Sequence, residues 1–292
     1  MSKRAIIILL FITVASVAAQ KIVGQSDQKK KYSNKPVIRL SAPDRVGPEA
    51  TTKNIQLQTE LEWGFGERAE RGWYLYLPLI SNLIGANEDP ASRDFARALA
   101  RWQSDRNLDP LGVLDTASWM EMVSYWQSRR LNNHQYPSPD QLVIIPVEDC
   151  YDPERPEELR HAERAAYDAY KKMTRAAARD LGLATAEDGS IAASEKFFKI
   201  ISAFRSREYQ EELRRRSPNS TRAGLAINSP HFTGRALDIY MGGEPVSTRY
   251  ENRALQTRTP AYRWMVKNAS RYGFRPYFYE PWHWEYVGET AK

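Results

Sequence analysis

One cysteine, Cys150, stands in 292 residues, so no intramolecular disulfide can brace the fold. It is far in sequence from the two histidine segments described below, and no catalytic cysteine pattern surrounds it. It therefore reads as a small, partly buried residue. Histidine is almost as scarce, at four positions: His134, His161, His231 and His283. Neither sign of charge dominates: 42 Lys and Arg against 36 Asp and Glu leave a net +6. That balance suits a solvated basic surface, or attraction to an anionic polymer or membrane surface. No helix-turn-helix, zinc-finger or aromatic RNA-binding pattern accompanies it, which sets nucleic acid aside as a partner. The one long apolar run, Ala5 to Ala19, falls short of the ~20 residues needed to span a bilayer. It follows Lys3 and Arg4 and ends in Val17, Ala18 and Ala19, the layout of a cleavable export signal over residues 1–19. No cysteine follows it, so lipid anchoring there is excluded, and no stable membrane span is expected after cleavage.

Residues 20–54 are polar, with three consecutive lysines from Lys29 and little periodicity, and are expected to be a flexible tether. Residues 55–130 read as helical. Phe95, Leu99 and Trp102 share one helical face, a turn follows at Asp109 to Asp115, and Asp115 or Thr116 caps a helix carrying Trp119, Met122, Val123 and Trp126. Phe95, Ala98, Trp102, Gln103, Gly112, Val113, Leu114, Asp115 and Trp119 together resemble the peptidoglycan-binding module of bacterial wall hydrolases. Most of its aromatics read as core either way.

Residues 131–140, rich in proline and asparagine, read as a linker to a second domain over 141–292. There Leu142 to Pro146 predicts a strand. Leu159, Ala162, Ala166, Tyr170, Met173 and Ala177 predict a long helix from about Pro156 to Leu181, stopped by Gly182. Phe197 to Phe204 and Ala236 to Tyr240 read as short strands. Ser206 caps a helix running to Arg216, and Thr259 and Pro260 open another that ends at Gly273. Trp282, Trp284 and Tyr286 alternate with His283, Glu285 and Val287 in a last strand. Strands and helices mix without a parallel-sheet rhythm, so the expected class is α+β, a small mixed or antiparallel sheet with flanking helices behind a small helical bundle.

Two short segments carry the chemistry. Ser229 to Asp238 contains His231 and Asp238 seven residues apart, with Gly234 and Ala236 between them. Glu280 to His283 adds a carboxylate and an imidazole three residues apart. That is the minimum inventory of a catalytic zinc site, three ligands plus a carboxylate beside the open position. Gly234 and Ala236 are expected to let the backbone pass close to metal and substrate. His134, in the linker, and His161, among charges, read as structural, and Arg214 to Arg216 as a solvated helix end.

The two segments resemble the two-part motif of the LAS zinc metallopeptidases. Ser202 to Gln210, with Arg205, Ser206 and Tyr209, is similar to the segment before the metal site of VanY-type D-alanyl-D-alanine carboxypeptidases. The likeness spans about residues 141–288. It implies a bound Zn2+ held by His231, Asp238 and His283, with Glu280 as general base and then acid. It also implies Arg205 as the cation steadying the substrate carbonyl, with Ser229 and Gln210 contacting substrate or bracing the loop. The expectation is an exported peptidase, secreted or periplasmic and wall-associated, that acts on peptidoglycan stem peptides. A carboxypeptidase is favoured over an endopeptidase of the same fold. A non-catalytic wall-binding or adaptor protein would be free to lose one of His231, Asp238, His283 and Glu280, and all four are present. A phosphoesterase would want a second ligand cluster, which is lacking.

Overall fold

The computed structural model describes residues 46–217 and 226–288. The expected export signal and residues 20–45 of the expected tether lie outside these. Helix α1 (Glu49–Glu60) begins six residues before the expected onset of ordered sequence. Its Asn54 is fully buried and explains why: the side-chain amide donates to Gly112 O at 2.9 Å and accepts from Leu114 N at 2.8 Å. The segment expected to be helical also holds a hairpin, β1 (Glu62–Phe65) with β2 (Arg68–Arg71), which the helical reading missed. Helix α2 (Leu77–Ile84) follows and ends at Gly85 in the left-handed conformation.

Helix α3 (Arg93–Asp105) falls where periodicity places it, and α4 (Thr116–Ser128) where periodicity and the Asp115 cap place it. Ser92 accepts from Phe95 N and Asp115 from Ser118 N, each cap contributing about 1 kcal/mol. Gln103, part of the module-like pattern, donates to Val113 O at 2.9 Å and accepts from Gly112 N at 2.8 Å, so it braces the intervening turn. Phe95, Leu99, Trp102 and Trp119 are core residues, as expected.

The remaining strands are all antiparallel. β3 (Leu142–Ile144) pairs with β4 (His161–Glu163). Helix α5 (Arg164–Leu181) therefore starts later than its apolar spacing suggests. Ala162 is used in a strand pair, and Glu163 turns the chain by accepting from Ala166 N. Gly182 ends α5 in the left-handed conformation, as expected. β5 (Ile200–Ser202) is shorter than the predicted strand and leads to α6 (Arg207–Arg216), capped by Ser206. β6 (Ala236–Ile239), α7 (Tyr250–Arg258), α8 (Pro260–Asn268), β7 (Phe274–Pro276) and β8 (His283–Tyr286) complete a four-stranded sheet of order β5-β6-β8-β7. The architecture is α+β, with eight α-helices and small antiparallel sheets among the described residues. No helix among them is long and apolar enough to cross a membrane.

A continuous core runs from the helical segment into the sheet-bearing one. Phe278, in the turn before β8, stacks on Trp126 at 5.9 Å and meets Trp63 and Trp119 edge-on or tilted at 6.3 and 6.2 Å. Such pairs add about 0.5–1.5 kcal/mol each beyond area burial. Arg253 on α7 donates to Glu70 on β2 at 2.9 Å, and Tyr279 donates to the same carboxylate. The turn that carries Glu280 is thereby held from the helical side.

Candidate metal centre

Strand register does most of the assembly. Ser202 faces Asp238 across β5 and β6, and Asp238 faces His283 across β6 and β8. Directly opposed residues of an antiparallel pair point to one face, so three strands deliver a single row of polar side chains. His231 arrives from a short 3-10 turn, Pro230–Thr233, capped by Ser229, whose hydroxyl accepts from His231 N at 3.3 Å. Gly234 closes that turn at φ +66°, but its close approach is not to the cleft. A Cβ there would lie 2.7 Å from Glu163 N, the donor to Gly234 O, so the small residue serves the contact with β4. Ala236 is likewise buried in the strand pair opposite Glu285.

His231, Asp238 and His283 are all buried, and each offers one ligand atom within 4.8 Å of the others. Asp238 Oδ1 lies 3.2 Å from His231 Nε2 and 2.9 Å from His283 Nδ1. Its other oxygen accepts from Arg205. His231 Nδ1 donates to Ala203 O at 2.7 Å. Burial and the neighbouring Arg205 charge outweigh Asp238 and lower its pKa to about 4. It is therefore neutral near pH 7, with the Nε2 lone pair facing a carboxylate oxygen. Two facing lone pairs repel unless a cation sits between them, which is what a metal ligand set requires. Burial works against the Asp238 carboxylate, but the charge of Arg205 and the hydrogen bond from His283 hold it well below the usual range.

His283 lies between two carboxylates, with Nε2 3.1 Å from Glu285 Oε1. Burial alone would depress it, yet the bonds to Asp238 and Glu285 raise its pKa to about 9. His283 would hold a metal through Nδ1 after losing one proton, with Nε2–H kept on Glu285, the usual carboxylate support of a ligating imidazole. Glu285 is itself clamped. Arg130 donates to Oε1 from Nε at 3.0 Å and Nη2 at 2.5 Å, and Leu131 N donates to Oε2 at 2.8 Å. Burial would raise Glu285, but His283 and Arg130 outweigh it and bring the pKa to about 2. Sequence reasoning assigned neither residue. Glu285 left one signal, an acid two residues after His283 on the same strand face, and Arg130, 155 residues away, left none.

Arg205 is 8% exposed and held by Ser202 Oγ at 2.9 Å, Gln210 Oε1 at 3.4 Å and Asp238. Gln210 spends its amide on Ala226 O at 3.0 Å, so it ties Arg205 to the backbone at Ala226, while Tyr209 lines the cleft. Ser229 and Glu280 also line this cleft, of about 340 Å3. Glu280 is 6% exposed, and its carboxyl makes no hydrogen bond within the described residues. Burial first, then Asp238, raise its pKa to about 8 against the pull of His283 and Arg205. Outside the cleft, Cys150 packs on Pro146 O with its thiol pushed up by burial, and His134 binds Asn228 O and Leu131 O.

The Glu280 shift has a sign that can be measured on metal-free protein. A carboxyl whose folded pKa is raised stabilises the fold below its unfolded value, near 4.5, and loses that contribution as pH climbs through 8. Thermal melts of metal-free wild type and Glu280→Gln across this range should diverge. The variant gains steadily, to a few kcal/mol at the alkaline end. Parallel curves would mean that Glu280 is not buried as described.

No curated relative matches the chain. The VanY family, described as D-alanyl-D-alanine carboxypeptidase, matches residues 159–289, a stretch that contains the triad, Glu280, Arg205, Gln210 and Ser229. With a buried His-Asp-His cluster fit for a metal at its centre, residues 159–289 of this chain are an enzyme domain of the VanY D-alanyl-D-alanine carboxypeptidase family, a zinc peptidase family.

Proposed function

We propose that the protein is an exported, zinc-dependent D-alanyl-D-alanine carboxypeptidase that trims peptidoglycan stem peptides. The observation that carries this reading is the convergence of His231, Asp238 and His283 on one cleft with an unbonded carboxyl, Glu280, and a fixed guanidinium, Arg205. Two imidazole nitrogens and one carboxylate oxygen form a zinc donor set with a position left for water or substrate. Bound there, zinc would supply a Lewis acid for the scissile carbonyl and lower the pKa of water to about 7.

The chain's own residues supply the rest. Glu280 takes the proton of the attacking water on its carboxylate and returns it to the amine of the departing D-alanine. A divalent charge beside it favours ionisation, bringing the carboxyl down from about 8 toward neutrality, where one group can serve as both base and acid. The seat of Arg205 on Asp238, Ser202 and Gln210 fixes its guanidinium before negative charge develops on the carbonyl oxygen. Ser229 lines the cleft beside the turn it caps and is placed to meet substrate.

Ligands on the two central strands of the four-stranded sheet support the LAS-type fold, and the apolar leader supports export. We further propose residues 55–130 as the wall-binding part. Trp102 and Trp119 are core residues, so exposed side chains would make any glycan contact.

Metal content and product analysis on one sample test the assignment. Wild type should carry about one zinc per chain and release D-alanine from a stem pentapeptide, while His283→Ala should lose both. Internal fragments in place of D-alanine would make the enzyme an endopeptidase. Neither zinc nor turnover would sink the proposal.

A further inference from the structure

Three arginines are less than a tenth exposed among the described residues. Two hold carboxylates: Arg205 that of Asp238 and Arg253 that of Glu70. The third, Arg275 on β7, is 8% exposed, and no hydrogen bond or ion pair engages its guanidinium among the described residues. None of its nitrogens is among the fully buried, unpartnered polar atoms of the described residues, so its stem is packed while its charged end opens onto the neighbouring cleft without a counter-ion.

Arg275 lines a cleft of about 810 Å3 between α2, α4 and the turn into β7. Asn82, Tyr125, Arg129, Arg271 and Tyr272 line it as well. Arg129 and Arg271 are exposed, and neither makes an ion pair among the described residues. No carboxylate lines this cleft within those residues. Burial, then repulsion from Arg129, lower the Arg275 pKa, the response of a guanidinium beside a like charge without a counter-ion. The cleft shares no lining residue with the one around the metal triad.

We propose that this cleft binds an oxyanion, a carboxylate or phosphate group, seated on Arg275 with Arg129 and Arg271 at its rim. Three guanidiniums with no acid among them match such a group in charge and in their planar donor geometry. The site is independent of the metal centre and stands whatever peptide bond that centre cuts.

Thermal melting of the zinc-loaded full chain tests this, with inorganic phosphate and N-acetylmuramic acid as separate probes in a low-salt buffer. Without probe, Arg275→Met should melt slightly above wild type, since the change removes a partly desolvated charge that faces Arg129 without a counter-ion. With probe, wild type should rise saturably and Arg275→Met should not, while D-alanine release stays unchanged. A response to phosphate alone identifies a phosphate site, and a response only to the sugar acid identifies a carboxylate on a ring; both uphold the proposal. An equal rise in wild type and Arg275→Met, or none in either, overturns it. Should Arg275→Met fail to fold, Arg129→Gln at the exposed rim decides instead. About tenfold weaker probe binding supports the site, and unchanged binding overturns it.

Discussion

Glu280→Gln lowers kcat by about 10²–10⁴-fold and leaves the zinc content at wild-type level. The substitution preserves volume and hydrogen-bonding shape but removes the only step that needs a titrating carboxyl. Glu280 lies outside the ligand cluster of His231, Asp238 and His283, so metal uptake has no reason to change. It lines the cleft without a hydrogen bond of its own, and the glutamine therefore breaks no structural contact. KM should move little, because the carboxyl acts on protons rather than on the bound peptide. Stopped-time D-alanine assays with parallel metal analysis check both halves. Near-full activity in the variant would mean that another group moves the proton. Loss of zinc would mean that Glu280 helps to hold it.

Arg130→Met weakens zinc binding by about 10–100-fold, although Arg130 touches no ligand atom directly. Its guanidinium holds Glu285, and Glu285 holds His283 by Nε2. Without it, Glu285 remains buried and charged, supported by Leu131 N and His283 alone. Breaking a buried ion pair from one side costs about 3–5 kcal/mol. The remaining bonds place this case at the lower end. The stacking of Arg130 over Tyr277, at 3.9 Å, is lost as well. Chelator competition and thermal melting read the two effects separately. Adding Glu285→Gln to Arg130→Met removes the stranded charge and should recover much of the stability but not the zinc affinity. Unchanged affinity in the single variant would break the chain of contacts proposed from Arg130 to the metal. Because Arg130 precedes the family-matched stretch, the helical segment contributes to the centre itself.

Much of this was legible before any coordinates. Caps and helical periodicity act within one or two turns, so α3 by its periodicity and α4, α6 and α8 with their caps Asp115, Ser206 and Thr259 could be read locally. The triad could be nominated because His and Asp are rare in such spacing and because three short motifs occur in order. Short strands were less legible. Ala162 fits the apolar face of α5 as well as it fits β4, and only pairing with Val143 decides between them. The hairpin β1-β2 and strand β7 likewise exist through their partners.

Residue types and their order along the chain thus determined which groups this protein brings to its cleft and most of its helices, since helices and caps close over three or four residues. The tertiary structure alone decided which groups support them. Arg130 reaches Glu285 across 155 residues, Gly234 serves a strand contact instead of the cleft, and Arg275 makes no ion pair among the described residues. Each of these is a relation between surfaces that meet only when the core closes, and no local spacing encodes it.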